Sequence, residues 1–317
     1  MNRPNILYIH SHDTGRYVQP YGYAIPTPNF QKLAEQGVLF RQAFCAAPTC
    51  SPSRAALLTG ECPHSAGMLG LAHRGWSLND YSRHIVHTLR KAGYYSALAG
   101  VQHIVDWKTP ELIGYDEILP LEDGPEDRDA SFVVPAALEF LNRPHETPFF
   151  LSVGFFQTHR EYPTGVPDES SRYIRPPAPV PDTPETRRDM AAFIQSARDY
   201  DSAVGEVLAA LDKNGLADNT LVISTTDHGV AFPGMKCTLT DHGTGVMLIM
   251  RGPGGFSGGR VLDAMVTHLD LYPTLCDYLG LEKPDWLQGT SLLPLLSGQV
   301  DIVHDEIFSD CLLYTSP

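Results

Sequence analysis

The stretch Val38–Gly60 reads VLFRQAFCAAPTCSPSRAALLTG and joins a strand pattern to a helix pattern. Apolar and polar side chains alternate along Val38–Phe44, which predicts a β-strand. An apolar run follows Cys50 and predicts a helix that begins at this cysteine. Strand-like and helix-like segments keep alternating along the chain. This pattern is typical of an α/β fold with a mostly parallel central sheet and helices on both faces.

The remaining predicted elements repeat this alternation. Predicted strands lie near residues 5–10, 94–99, 149–153, 220–225, 246–250 and 261–266. Predicted helices lie near residues 28–37, 82–92, 130–142, 183–213 and 270–280. Residues 160–182 are rich in proline and polar side chains, which indicates a long surface loop. Residues 306–309 resemble the start of a strand, whereas residues 311–317 fit no upstream pattern and are predicted to be a truncated or foreign tail.

Composition indicates a folded globular protein and excludes several partners. Of the 317 residues, 43% are hydrophobic and 19% are charged, as in an ordinary compact domain. The net charge of −14 disfavours nucleic acid and anionic membranes, so we expect neither partner. No apolar run approaches the roughly 18 residues of a membrane span, and no signal-peptide pattern precedes the first strand, so we expect a cytoplasmic protein. The cysteines lack metal-ligand spacing, so we expect reduced thiols.

The residues around Cys50 suit the chemistry of an anion. Cys50 lies at the predicted N-terminus of a helix, where free backbone N–H groups and the helix dipole favour negative charge. Arg54 follows one turn later and adds a planar donor group that suits an oxyanion. A buried cysteine on a core helix is the competing interpretation. The fixed spacing of Pro52, Ser53 and Arg54 after Cys50 favours a reactive site.

Two pairs of polar residues directly follow predicted strands. His12 and Asp13 follow the first strand, and Asp227 and His228 follow the strand near 220–225. Open α/β sheets bind ligands at the carboxyl ends of their strands. These four side chains are therefore candidate ligands of a divalent metal. Two solvated loop turns are the competing interpretation.

The run CSPSRAALLTG at positions 50–60 resembles the sulfatase signature C-x-P-S-R-x-x-x-x-T-G. Through this resemblance the chain is identified as a sulfatase of the alkaline phosphatase superfamily, with the mostly parallel sheet of that superfamily. The resemblance implies that a maturation enzyme oxidises Cys50 to Cα-formylglycine. It also implies a C-terminal antiparallel subdomain, which is missing from this chain. Residues 1–310 are therefore predicted to form the α/β catalytic domain alone.

The resemblance also implies the metal ligands. Residues 3–7 match the R-P-N-I-L strand that leads to an Asp pair in the family. Asp13, Asp227 and His228 match metal ligands, and His12 stands where the first Asp usually stands. Calcium is the ion that the family implies, although two imidazoles shift the preference towards Mn²⁺ or Zn²⁺.

Three further residues match catalytic positions of the family. His103 matches the histidine of a Gly-Lys-x-His run, in which Val101 replaces the lysine. His159 matches the second histidine of a His-x-x-His run, in which Phe156 replaces the first. Lys236 matches a lysine that contacts sulfate. The two replacements are departures from the family pattern.

The mechanism that the resemblance implies begins at the hydrated aldehyde of residue 50. The metal and Arg54 lower the pKa of one hydroxyl, which attacks sulfur. His159 and Lys236 stabilise or protonate the leaving atom. His103 takes a proton from the second hydroxyl as sulfate is eliminated.

Three short runs, at positions 67–71, 182–184 and 232–233, resemble the heparan N-sulfatase (sulfamidase) branch of the family. The predicted function is hydrolysis of sulfate esters or sulfamates on sulfated sugars. Two alternatives remain open: a phosphonate monoester or phosphodiester hydrolase of the same superfamily, and a non-catalytic fragment that binds sulfated glycans. Four residues after the signature helix are candidate substrate contacts: His64, His73, Arg74 and Trp76.

Overall fold

Two layers of helices enclose one sheet in the computed structural model, which describes residues 3–121 and 129–311. The strands of the described residues are β1 (Asn5–Ser11), β2 (Val38–Phe44), β3 (Tyr95–Gly100), β4 (Glu117–Ile118), β5 (Phe149–Gly154), β6 (Thr220–Thr226), β7 (Gly245–Val246), β8 (Leu248–Arg251) and β9 (Arg260–Thr267). The α-helices are α1 (Pro28–Gln36), α2 (Cys50–Thr59), α3 (Pro63–Ala66), α4 (Ile85–Lys91), α5 (Ala130–Leu141), α6 (Pro184–Lys213), α7 (Asp241–Thr244), α8 (Leu271–Leu279) and α9 (Leu293–Leu296).

The sheet is mostly parallel, as predicted. Its strands follow the order β4-β3-β5-β1-β6-β8-β2, and β7 and β9 also pair with β2. The pairings among the described strands are parallel, except that β8 is antiparallel to β6 and β2, and β7 is antiparallel to β2. The carboxyl ends of the parallel strands consequently share one edge of the sheet.

Helices cover both faces because the strands direct apolar side chains to each face in turn. On β1, Ile6 and Tyr8 pack in a cluster with α2, α4 and α8. Leu7 and Ile9 point the other way and pack in a second cluster with α1, α5 and α6. The predicted layers on the two faces are confirmed.

Loop paths explain one difference from the predicted elements and agree with one prediction. The strand predicted near 246–250 is divided into β7 and β8, because the Met247 amide donates to the Gly15 carbonyl (2.8 Å). The polar and proline-rich segment 160–182 lies between β5 and α6 and contains a short 3₁₀ turn, Asp168–Ser171. This long loop was predicted.

The prediction that a strand begins at residues 306–309 is wrong, since the structure shows an irregular segment there. Ser309 Oγ donates to the Cys45 carbonyl (2.7 Å), so the segment is held by the loop before α2 and not by a strand edge. Of the predicted tail, residues 312–317 lie outside the described residues. All six cysteines are free thiols, as expected. Each helix in the described part of the chain is too short or too polar to cross a membrane.

Candidate active site

The carboxyl ends of four neighbouring strands, in the order β3, β5, β1 and β6, meet at the candidate site. The residues that follow these ends are His103 after β3, His159 after β5, His12 and Asp13 after β1, and Asp227 and His228 after β6. Helix α2 begins at Cys50 and brings that residue to the same edge, where Cys50 Sγ lies 3.2 Å from His228 Nε2. The predicted convergence of these positions thus follows from the parallel topology.

Hydrogen bonds to three residues fix the Arg54 side chain in the site. Its Nη2 atom donates to Asp227 Oδ2 (3.0 Å) and to the Ser11 carbonyl (2.6 Å). Its Nη1 atom donates to His10 Nδ1 (2.6 Å). The Arg54 and Asp227 side chains are 2% and 0% exposed, so this is a fully desolvated ion pair.

The Asp227 carboxylate is ionised although it is buried. Its Oδ1 atom accepts hydrogen bonds from the Asp13 amide (2.8 Å) and the His228 amide (2.9 Å). Burial opposes the charge, but the positive charge of Arg54 holds the pKa of Asp227 well below its usual value. The site therefore keeps a fixed negative charge next to Arg54.

His228 presents a lone pair to the centre of the site. Its Nδ1 atom donates to the Gly229 carbonyl (2.9 Å), which leaves Nε2 without a proton. Nε2 lies 3.2 Å from Cys50 Sγ and 3.3 Å from Asp13 Oδ1. Burial lowers the pKa of His228 below its ordinary value, so the ring is neutral at neutral pH.

His12 is a second buried, neutral imidazole. Burial, assisted by Arg54, lowers the pKa of His12 well below its ordinary value. Its Nδ1 atom lies 3.1 Å from Asp227 Oδ2, yet neither ring nitrogen makes a well-formed hydrogen bond within the described part of the chain. One potential ligand atom from each of His12, Asp13, Cys50 and Asp227 lies within 4.8 Å of the others. This donor set can hold a metal ion.

Lys236 brings a second cation to the site. Its Nζ atom donates to both Asp13 oxygens, at 2.9 and 2.8 Å. Burial opposes the charge, but the Asp13 carboxylate raises the pKa of Lys236 above its ordinary value. The amide of Cys237 donates to the Pro48 carbonyl (3.0 Å), which ties the Lys236 loop to the segment just before α2.

Three histidines occupy the outer part of the site. His73 Nδ1 and His103 Nε2 are 3.0 Å apart, and the two rings stack with their centroids 5.3 Å apart. The His159 ring packs edge-on against the His12 ring at 5.6 Å. His159 Nε2 lies 3.8 Å from Asp13 Oδ2. The outer histidines thus lie directly above the buried donors.

The four candidate substrate contacts occupy different environments. His73 lines the cavity beside the site, which has a volume of about 1130 Å³ and is also bordered by His12, His103 and His159. The other three border no part of that cavity that the structure describes. His64 Nδ1 lies 2.6 Å from Asp310 Oδ2, Arg74 is exposed in a 3₁₀ turn, and Trp76 packs against the core.

Sequence reasoning missed the polar groups beneath Asp227. Ser53 Oγ donates to the Asp227 carbonyl (2.5 Å) and lies 3.4 Å from His268 Nδ1. His268 Nε2 lies 3.2 Å from Thr225 Oγ. Burial lowers the pKa of His268 to about 3, so this support is uncharged. The signature spacing contains Ser53, but no pattern in the sequence indicates His268.

Residues 4–281 match the family model of sulfatases, so the chain belongs to the sulfatase family. It is 32% identical over 316 residues to human N-sulphoglucosamine sulphohydrolase, covering 87% of this chain and 62% of the relative. It is 26% identical over 342 residues to an ulvan-active sulfatase of Formosa agariphila, covering 92% of this chain and 54% of the relative. The chain therefore spans 54–62% of the length of these two relatives.

Solved structures share the fold. A protein solved in complex with its substrate D-glucosamine-2-N,6-O-disulfate gives a TM-score of 0.80 at 19% identity, covering 96% of this chain and 82% of that chain. The phosphonate monoester hydrolase of Agrobacterium radiobacter gives 0.74 at 22% identity, covering 97% and 79%. The predicted alkaline-phosphatase-like sulfatase architecture is confirmed.

Proposed function

We propose that the protein hydrolyses sulfate esters or sulfamates of sulfated sugars, with formylglycine made from Cys50 as the nucleophile and a divalent metal beside it. The observation that carries this proposal is the convergence of Cys50 with two cations and two carboxylates at one edge of the sheet. Arg54 and Lys236 supply positive charge for a sulfate, while Asp13 and Asp227 supply oxygen ligands for a metal.

The environment of Cys50 disfavours an ordinary thiolate mechanism. Burial, followed by the charge of Asp227, raises the pKa of Cys50 well above its ordinary value, so the residue stays a thiol. A formylglycine at this position supplies, in hydrated form, one hydroxyl that attacks sulfur and another that later expels sulfate. Arg54, one turn along α2, is fixed by its buried contacts and holds positive charge close to position 50.

The residues present fit a divalent metal. Asp13 and Asp227 are buried carboxylates, and His12 and His228 are neutral imidazoles with lone pairs available. His228 Nε2 faces Asp13 Oδ1 at 3.3 Å, and a cation would relieve the repulsion between this lone pair and the carboxylate. When bound, the metal supplies positive charge that acidifies a hydroxyl and neutralises sulfate. We propose Ca²⁺ on family grounds, with Mn²⁺ or Zn²⁺ as alternatives because of the imidazoles.

Proton transfer is assigned to the outer residues. His159 and Lys236 lie next to Asp13, at 3.8 and 2.8 Å, and can protonate or stabilise the leaving oxygen or nitrogen. His103 takes the proton that is released when sulfate departs. His73, 3.0 Å from His103, adds a polar contact on the same side.

A sulfate-release assay tests the proposed function. The protein is produced together with a formylglycine-generating maturation enzyme and assayed on N- and O-sulfated glucosamines with Ca²⁺ or Mn²⁺. We expect sulfate release that is lost in a Cys50→Ala variant. Glycan binding without sulfate release under every metal contradicts the proposal and favours a non-catalytic binder. Faster turnover of aryl phosphonate than of aryl sulfate favours a phosphonate hydrolase.

A further inference from the structure

The residues that line the cavity beside the candidate active site can select among sulfated sugars. Its volume of about 1130 Å³ lies slightly above the usual range for small-molecule sites, which is roughly 300–1,000 Å³. It reaches the site past His12, His103 and His159. A sulfated group placed among these histidines would leave the rest of the substrate inside the cavity.

The fixed charges along this cavity are negative. Among the lining residues that the structure describes, Asp129, Glu161 and Asp199 carry carboxylates, and neither lysine nor arginine is present. Glu161 and Asp199 are exposed on the wall. A second sulfate or a carboxylate of the substrate would meet the like charges of Glu161 and Asp199 there.

The two cations of the site are held by the two carboxylates of the site itself. Arg54 is committed to Asp227 at 3.0 Å, and Lys236 is committed to Asp13 at 2.8 and 2.9 Å. Neither borders the cavity in the described part of the chain. They can therefore neutralise the sulfate that reacts, but not a second anion farther out.

The same lining suits an uncharged or amine-bearing sugar ring. Trp107 and Phe156 border the cavity, and Phe156 is 37% exposed. Aromatic faces such as these pack against the apolar faces of a pyranose ring. Carboxylates accept hydrogen bonds from hydroxyl groups and from an ammonium group.

We propose that this cavity selects sugars with a single sulfate and no second anionic group, the rest of the sugar being neutral or bearing a free amine. The proposal rests on the proposed function for the reacting sulfate. The residues that impose the selection are Glu161 and Asp199, which act on specificity and not on the chemical step.

Matched substrates test this selection. N-Sulfoglucosamine and glucosamine-2-N,6-O-disulfate share the same N-sulfate and differ by one added sulfate. We expect kcat/KM to be at least about tenfold higher for the monosulfated sugar, because the second sulfate is repelled by the cavity carboxylates. The double variant Glu161→Gln/Asp199→Asn should raise kcat/KM for the disulfated sugar about tenfold and leave the monosulfated sugar within about twofold. The exposed pair Asp218→Asn/Glu282→Gln is the matched control and should leave the ratio unchanged.

A binding measurement separates this proposal from the proposed function. Calorimetric titration of the Cys50→Ala variant with each sugar reports selection without turnover. Tighter binding of the monosulfated sugar supports the proposal even if the matured protein releases no sulfate, a result that would contradict only the proposed function. Equal or tighter binding of the disulfated sugar, or a ratio that the double variant does not change, overturns the proposal.

Discussion

The candidate active site has an inner half and an outer half that differ in burial. The inner half consists of residues that are at most 3% exposed: His12, Asp13, Cys50, Arg54, Asp227 and His228. The outer half consists of partly exposed residues at the edge or mouth of the site: His73, His103, His159 and Lys236.

The difference in burial shows which residues lose their hydration when the protein folds. The inner charges are desolvated on folding, and their mutual contacts offset that cost before any substrate arrives. The outer groups keep access to solvent and to the cavity, so they can exchange protons. Changes in the inner half should therefore reduce both stability and activity, whereas changes in the outer half should reduce activity alone.

The largest expected effect is in the inner half, at Arg54. Arg54→Met leaves Asp227 as a buried charge without its main partner, so we expect the free energy of unfolding to fall by about 3–5 kcal/mol. Denaturant unfolding measures this loss. The matched control is Arg90→Met, which removes an ion pair with Asp116 in which the Arg90 side chain is 41% exposed, and should cost less than about 1 kcal/mol. Similar losses in the two variants would contradict the distinction.

Metal binding should link the inner half to stability. Chelation should abolish sulfate release and lower the Tm, and Ca²⁺ or Mn²⁺ should restore both, since an ion at 100-fold its Kd stabilises the folded state by about 2.7 kcal/mol. Asp227→Asn should remove this response. Asp241→Asn, at a carboxylate that is 63% exposed, should retain it. A Tm of the wild type that does not change with any divalent ion would contradict a metal site here.

The outer half should show the opposite behaviour. His159→Ala should lower kcat by about 10²-fold because a proton donor is lost, while the free energy of unfolding stays within about 0.5 kcal/mol of the wild type. Steady-state kinetics and denaturant unfolding of the same preparation measure the two effects. His87→Ala, on α4 and hydrogen-bonded to the Ile113 carbonyl, should keep kcat within about twofold. A large loss of stability in His159→Ala would place this residue with the inner half.

The smallest expected effect lies beneath the inner half, in the short helical turn His268–Asp270. His304 Nε2 binds both oxygens of Asp270, at 3.0 and 2.9 Å. This hydrogen bond raises the pKa of His304, although partial burial opposes the shift. The stabilisation is therefore complete below the ordinary pKa of about 6.5 and is lost as pH rises through the raised pKa of the folded state.

His304→Gln should consequently lower the Tm at about pH 5.5 and have little effect at about pH 9. The loss should be about 1 kcal/mol, because the amides of Thr267 and Thr290 still donate to the buried Asp270 carboxylate after the change. Thermal unfolding across this pH range measures it. A difference that grows as the pH rises would contradict the assigned charge state.

The sequence predicted those parts of the site that depend on chain topology. Asp13 and Asp227 directly follow strands, and parallel strands place their carboxyl ends on one edge, so their proximity could be inferred. The signature spacing likewise placed Cys50 and Arg54 on one helix. The order of most helices and strands followed from hydrophobic periodicity in the same way.

The sequence did not predict contacts that depend on loop paths. The stacking of His73 on His103 joins two loops, and no periodic pattern specifies how such loops approach each other. The bond from Arg54 to His10 was missed because His10 lies inside a strand and reads as a core position. The carboxylates of the cavity come from separate segments, so their common location required the structure.

Residue 50 acts, in our proposal, as formylglycine and not as a thiol. Mass spectrometry of the peptide that contains Cys50, from protein produced together with a maturation enzyme, measures the aldehyde directly. Sulfate release is measured on the same preparations. We predict that formylglycine is present and that the rate of sulfate release rises in proportion to its fraction. Full activity in a protein whose Cys50 is entirely unmodified thiol would contradict the proposed mechanism.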